Sequence, residues 1–354
     1  MEIFGQDQKQ YLSREFGFDF VGPLEEYKGK VLDSISSGKR PIIQVGTQFS
    51  EFEFLKSLPS KSVIIHLFAD EIYSPKINRK IIRLSSVAGI IRSYPLYEFS
   101  LLRILKSLIF VFCDLFSTKH FAKLAVVAKQ FLAGLIMTKR QIIIRLLQKV
   151  YFKKSFTIPL GYTDFFAQSF LQVEKLDVAD LSRSLISLNK PSQASSKIFS
   201  FTFHGQRGQI LRELAIEAAK KYPDSNIKVK SSFGGVVPTG GNNLSGIENV
   251  DAMQRSKFTI APPGNYSAQT FRFYEAIICN SVPLTKNFNV SDPLYVGWRQ
   301  INNVFGMPKS WKELLSNASK LTETEHQKLL GNLQNYLQNV LAISRIQVEK
   351  LINS

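Results

Sequence analysis

Arg272 and Glu275 stand three residues apart in the run FRFYEAII, so on a helix they share one face. A carboxylate held on a rigid element can accept both hydroxyls of a ribose. A guanidinium beside it can grip a phosphate in a fork, or pin the carboxylate itself. Just upstream, Pro262, Pro263 and Gly264 follow the apolar stretch Lys257–Ala261, and they let the backbone turn where a Cβ would obstruct a ligand. Asn265 or Ser267 is placed to cap the next helix, whose unpaired N–H groups make a natural diphosphate seat. Arg207, in the short loop Gly205–Gly208, and Arg212 compete for a further phosphate contact, and Arg212 reads equally as a helix surface charge.

Such a constellation needs a strand to deliver the turn and a helix to carry the pair. The segment supplies both: Lys257–Ala261 reads as a strand, Ser267–Cys279 as a helix and Val282–Thr285 as a strand. The same alternation precedes it, with a strand at Ile198–His204, a helix at Gln209–Lys221 and a strand at Asn226–Ser231. The loop Gly234–Gly241 follows. The polar stretch Asn189–Lys197 reads as a linker. Before it, Pro41–Gln48, Ser62–Phe68 and Ser85–Tyr94 are apolar, β-branched strand candidates, and Phe49–Leu58 is a short helix. The chain from Thr322 to Leu351 reads as long helices.

At 354 residues and 44% apolar composition the chain suits two domains of roughly 150 residues each. The divisions expected are 1–188, 189–320 and a helical tail at 321–354. Cys113 and Cys279 are too few and too far apart for a disulfide framework or a zinc site. Four scattered histidines add no metal cluster. His66 and His204 read as core residues on strands, His120 and His326 as surface residues. The N-terminal MEIFGQDQKQYLSREF lacks the apolar centre of a secretory signal, and no apolar run reaches the ~18 residues of a spanning helix. The expected location is cytoplasmic, peripheral to the inner face of a membrane.

The net charge of +17 is unevenly placed: between Leu101 and Lys154 eleven Lys/Arg face a single acid, Asp114. Residues 99–154 read as two or three basic amphipathic helices inserted in the N-terminal domain. In the last of them Ile142, Ile143, Leu146, Leu147, Val150 and Tyr151 form the apolar stripe, with Arg145 and Lys149 on another face. Lys119, Lys123, Lys139 and Arg140 extend the charge. Its partner is an anionic membrane surface, or else these side chains are the solvated face of a helical cap.

The block Ser256–Leu284 resembles the nucleotide-sugar motif of exostosin-like glycosyltransferases. Ser256, Lys257, Phe258, Pro262, Gly264, Ser267, Arg272, Glu275, Ala276, Ile277, Pro283 and Leu284 stand at matching places. Ile65–Glu71 with Arg92-Ser93-Tyr94, then Ile158–Tyr162, then Phe201–Arg212 resemble further blocks of that family, in order. Asn280 replaces the family's glycine, and Pro263 stands where a basic residue is common. The resemblance implies an α/β chain of the GT-B fold: two Rossmann-like domains facing a cleft, donor on the C-terminal side. It also implies inverting transfer from a nucleoside-diphosphate sugar, a UDP-sugar favoured, to a glycan or lipid-linked acceptor. No Asp-x-Asp triplet occurs, so no metal cofactor is expected. The helix N-terminus with Arg207, Arg212 or Arg272 would stabilise the leaving group. Inversion requires a general base, for which Asp70 and Glu71, at the end of an N-domain strand, are the candidates. Two other readings stand beside this one. A nucleic-acid-binding protein would use residues 101–154, although no RNA- or DNA-binding module is recognisable. A non-catalytic membrane scaffold would keep a degenerate transferase fold.

Overall fold

The computed structural model describes the chain apart from residues 6, 47–48, 69–74, 94–108, 110–111, 114–131, 133–135, 137–138, 140–141, 189–196, 207–209, 231–245, 264–269, 286–295, 307 and 354. It is an α/β structure with two sheets, in which every strand pair is parallel. The first sheet contains β1 (Glu2–Phe4), β2 (Asp19–Gly22), β3 (Ile42–Val45), β4 (Val63–Leu67), β5 (Val87–Arg92) and β6 (Lys154–Thr157), in the order β2-β1-β3-β4-β5-β6. The second contains β7 (Phe199–Gln206), β8 (Ser225–Lys230), β9 (Ser256–Ile260) and β10 (Val282–Leu284), in the order β10-β9-β7-β8. Both sheets therefore run second-first-third-fourth. In each, the strand order reverses between the first and third strands, which opens a crevice at their carboxyl ends. This architecture is compatible with two Rossmann-like domains.

The central strands are legible as such because β-branched runs buried on both faces suit a covered parallel sheet, and β3 and β4 are buried throughout. The first forty residues carry elements the apolar pattern does not announce. They are β1, β2, α1 (Lys9–Phe16) and α2 (Leu24–Ser36). The helices α3 (Phe52–Ser57) and α4 (Pro75–Arg83) follow in the first half, then α5 (Asp164–Val173) after β6. The second half adds α6 (Ile210–Ala219), α7 (Gly246–Gln254), α8 (Phe271–Ile278), α9 (Val296–Phe305) and α10 (Trp311–Ser319).

The tail is one helix rather than several, α11 (Glu323–Ile352), started by a capping box between Thr322 and Glu325. It packs against β10 and also against β5 and β6, so it spans both sheets. Arg345 on α11 pairs with the buried Glu15 of α1 at 3.5 Å. His326, expected at the surface, is buried instead. Its Nε2 donates to the carbonyl of Lys257 at 2.9 Å, and its ring meets Phe258 edge-on. That bond fixes α11 to the strand that delivers the Pro262 turn.

Two cores divide the first sheet. One face, with Phe4, Ile43, Val63, Ile65 and Ile90, packs against α4 and the helical residues 142–150. The other, with Ile3, Ile42, Ile64 and Ile91, joins a cluster that continues through Tyr11 and Phe166 to Phe201, Phe273 and Trp298 of the second half. The first face thus looks away from the second sheet. Among the described residues no helix is long and apolar enough to cross a membrane.

Candidate functional site

Of the predicted donor residues, Arg272 reaches the carboxyl end of β7. Arg272, in the first turn of α8, sends Nη2 to the carbonyl of His204 at 2.7 Å and lies over the Phe203 ring at 4.5 Å. Gly205 makes this possible, because a Cβ there would stand 2.7 Å from Arg272 Nη2. Burial first, and the nearby Arg212 second, lower the Arg272 pKa to about 10, against the opposing effect of Glu275. Arg212, in the first turn of α6, is half-buried and its own pKa is lowered by burial. It is therefore no solvated surface charge. Arg212 thus stands close enough for its charge to act on Arg272, and the two cations concentrate positive charge at this strand end.

Glu275 is buried, at 7% exposure. Its Oε1 accepts from the Thr163 hydroxyl at 3.1 Å and the Thr163 N–H at 3.3 Å. Oε2 accepts no bond from the described residues. Burial raises the Glu275 pKa, while Arg272 and the two Thr163 bonds counteract it. The carboxylate is thus pinned by Thr163 from the first half of the chain, not by Arg272. Thr163 also caps α5, accepting from the Phe166 N–H at 3.1 Å. Its place before an apolar helical run was a readable cap signal. Its second role, across more than a hundred residues, had no local signature.

The helix that carries the pair starts at Phe271, four residues later than Ser267. Its N-cap is Thr270, without a side-chain cap bond, rather than Asn265 or Ser267. The leading N–H groups of α8 therefore lack a side-chain acceptor at Thr270. Pro262 and Pro263 are buried directly after β9. At the far end of α8, Asn280 adopts a left-handed φ of 57°. Asparagine tolerates that region better than other side chains except glycine. Gly264, Asn265, Ser267 and Arg207 lie outside the described residues, as do Asp70 and Glu71.

The carboxyl end of the first sheet is built differently. Gln44 Nε2 donates to the Asp7 carbonyl at 2.9 Å and approaches His66 Nδ1 at 3.3 Å, leaving His66 Nε2 to donate to Ser93 at 3.1 Å. Burial without a charged partner pushes the His66 pKa down to about 3. His66 and His204 are both core residues, as their strand positions indicate. Beside this network Asp164 accepts from the N–H groups of Lys9 and Gln10, at 3.0 and 2.8 Å. Asp7 lies near enough to raise the Asp164 pKa, and burial raises its own. Neither aspartate was singled out in the sequence, because nothing local tells a turn carboxylate from a site carboxylate.

Of the basic segment, Lys139 and Lys149 are exposed and Arg145 is half-buried, whereas Lys119, Lys123 and Arg140 lie outside the described residues. The apolar stripe of the last helix is divided between core and surface. Ile144 and Leu147 enter the core beside the buried Gln148, while Ile142, Ile143, Leu146, Val150 and Tyr151 face out. Among the described residues no group of three or more His, Cys, Asp or Glu could hold a metal, and Cys113 and Cys279 are free thiols. Compared with known proteins, the chain matches no family model and no curated sequence.

Proposed function

We propose that the chain is a GT-B-type glycosyltransferase that moves a sugar from a nucleoside-diphosphate donor to a glycan or lipid-linked hydroxyl. The observation that carries this reading is the placement of Arg272 at the carboxyl end of β7, over Phe203 and bonded to the His204 carbonyl, with the Arg212 cation nearby and the first turn of α8 beside it. A diphosphate would accept from these guanidinium groups and from leading N–H groups of α8. One turn along, Glu275 Oε2 is offered to the ribose while Thr163 holds Oε1. Charge developing on the departing diphosphate is then met by fixed cations, which lowers the barrier without rearrangement.

The proton of the acceptor hydroxyl needs a base on the facing side. Asp70 and Glu71 keep that role in the proposal, and Asp7, which follows β1 in the same sheet, joins them. Raised carboxylate pKa values suit a base better than ordinary ones do.

A melting assay with UDP, GDP and inorganic phosphate tests the reading. A nucleoside diphosphate at a hundredfold excess over its Kd should add about 2.7 kcal/mol and raise the melting temperature by several degrees. Glu275→Gln, which keeps an oxygen for Thr163, should weaken that shift and leave the unliganded protein folded. If no nucleoside diphosphate shifts the melting temperature, the transferase reading fails.

A further inference from the structure

The outer layer of the first sheet, on the face turned away from the second sheet, is the surface with the least ordinary composition. Residues 142–150 form a helix that is apolar on two sides. Ile144 and Leu147 meet the core cluster containing Ile81 and Ile82 of α4. On the opposite side Ile142, Ile143, Leu146 and Val150 fall within an arc of about 100°, and all are exposed, Val150 at 66%. Arg145, Gln148 and Lys149 take the remaining arc, and contiguous exposed apolar patches of this kind mark interaction surfaces.

The helix ends at Phe152, which is 92% exposed and left-handed, with φ 50°. That backbone conformation favours glycine, so an exposed phenylalanine there is not explained by folding. The next residue, Lys153, donates to the carbonyls of Leu84 and Val87 at the end of α4. The apolar helix and α4 are thereby joined side by side. The outward residues of α4, Lys76, Arg79, Lys80 and Arg83, are cationic, and neither α4 nor residues 142–154 contains an acid.

We infer that this layer docks on an anionic bilayer. Leu146, Val150 and Phe152 enter the acyl boundary, while the α4 cations, with Lys149 and Lys154, meet lipid phosphates. An interfacial helix of this kind combines buried apolar area with electrostatic attraction. The choice of a bilayer over a protein partner rests on charge: the apolar stripe is flanked by the cations of α4 and of residues 142–154, two segments without an acid, which matches an anionic headgroup layer. Each cation close to such a leaflet contributes about fivefold to partitioning. The inference stands independently of the donor site, since it uses none of its residues.

Flotation of the full chain with phosphatidylcholine vesicles, with and without 30% phosphatidylglycerol, tests it. The chain should float with the anionic vesicles and far less with the neutral ones. High salt should reduce binding without abolishing it. Lys76→Ser, Lys80→Ser and Arg83→Ser together should lower anionic binding about a hundredfold. The pair Leu146→Glu and Val150→Glu should lower it more than tenfold. Phe152→Gly separates docking from folding: it should weaken flotation while keeping or raising the melting temperature. The inference is overturned if the chain does not float with anionic vesicles. It is overturned equally if the glutamate pair floats like the unaltered chain, or if sedimentation shows a dimer that the pair dissociates and vesicles do not compete for.

Discussion

The two sheets share one strand order yet treat charge at their carboxyl edges in opposite ways. At the first, a buried imidazole is held neutral between Gln44 and Ser93. At the second, a guanidinium remains charged over Phe203, with a second cation nearby and a carboxylate one turn along. Topology supplies a crevice in both places, and the residues at the strand ends decide what each crevice can receive. At the first edge the imidazole is met by uncharged hydrogen-bond partners, whereas the second gathers two cations and a carboxylate within reach of one another.

Acid should break the contrast most severely. His66 titrates at about 3 in the folded chain against an ordinary 6.5. Between those values the unfolded chain binds the proton and the folded chain does not. The stability due to the neutral ring is therefore complete above pH 6.5 and lost as pH falls towards 3, on the order of 5 kcal/mol in all. His66→Gln should flatten the dependence of the melting temperature on pH across that window. An unchanged slope would show that the first edge tolerates charge after all.

Glu275→Ala comes next. It leaves Thr163 with two donors facing no acceptor and deprives Arg272 of its nearest counter-charge, a loss of about 3 kcal/mol by urea unfolding. Glu275→Gln should recover most of that stability but not nucleotide affinity. Equal affinity in Glu275→Gln and the unaltered chain would remove the ribose role and leave Glu275 as a strut between the two halves.

Arg272→Lys sharpens the account of the second edge. A lysine has no planar fork to reach the His204 carbonyl and a phosphate together, and it stacks less well on Phe203. Affinity for a nucleoside diphosphate, measured by calorimetry, should fall by about 2 kcal/mol, some thirtyfold. If affinity is unchanged, the anion sits elsewhere.

The sequence made the second edge more readable than the first. Around Arg272 and Glu275, strand, turn and helix are contiguous, so spacing alone placed the cation and carboxylate on one helix. Even there the helix begins at Phe271, because a turn rich in proline, glycine, asparagine and serine offers several caps and local chemistry does not choose among them. Thr163 and Gln44 act on residues far along the chain, and such partners are set by packing. For residues 142–151 the apolar period was legible, but not that Leu147 turns inward while Ile142, Ile143, Leu146, Val150 and Tyr151 turn out. Periodicity identifies a face, but only the rest of the fold says whether that face turns inward.

Asn280 gives the smallest effect and the finest separation. It ends α8 in the left-handed region, and its Oδ1 accepts from Gln334 Nε2 of α11 at 2.7 Å. Asn280→Ala forces a Cβ into that region without the asparagine's local compensation and loses the bond to α11, for about 1 kcal/mol. Asn280→Gly loses the bond but relieves the backbone, so it should lie between alanine and asparagine in melting temperature. Neither should alter nucleotide affinity, because the anion is assigned to the opposite end of the helix. A matched loss of affinity in Asn280→Ala would mean that the pose of α8 as a whole, rather than the chemistry of its first turns, governs the second edge.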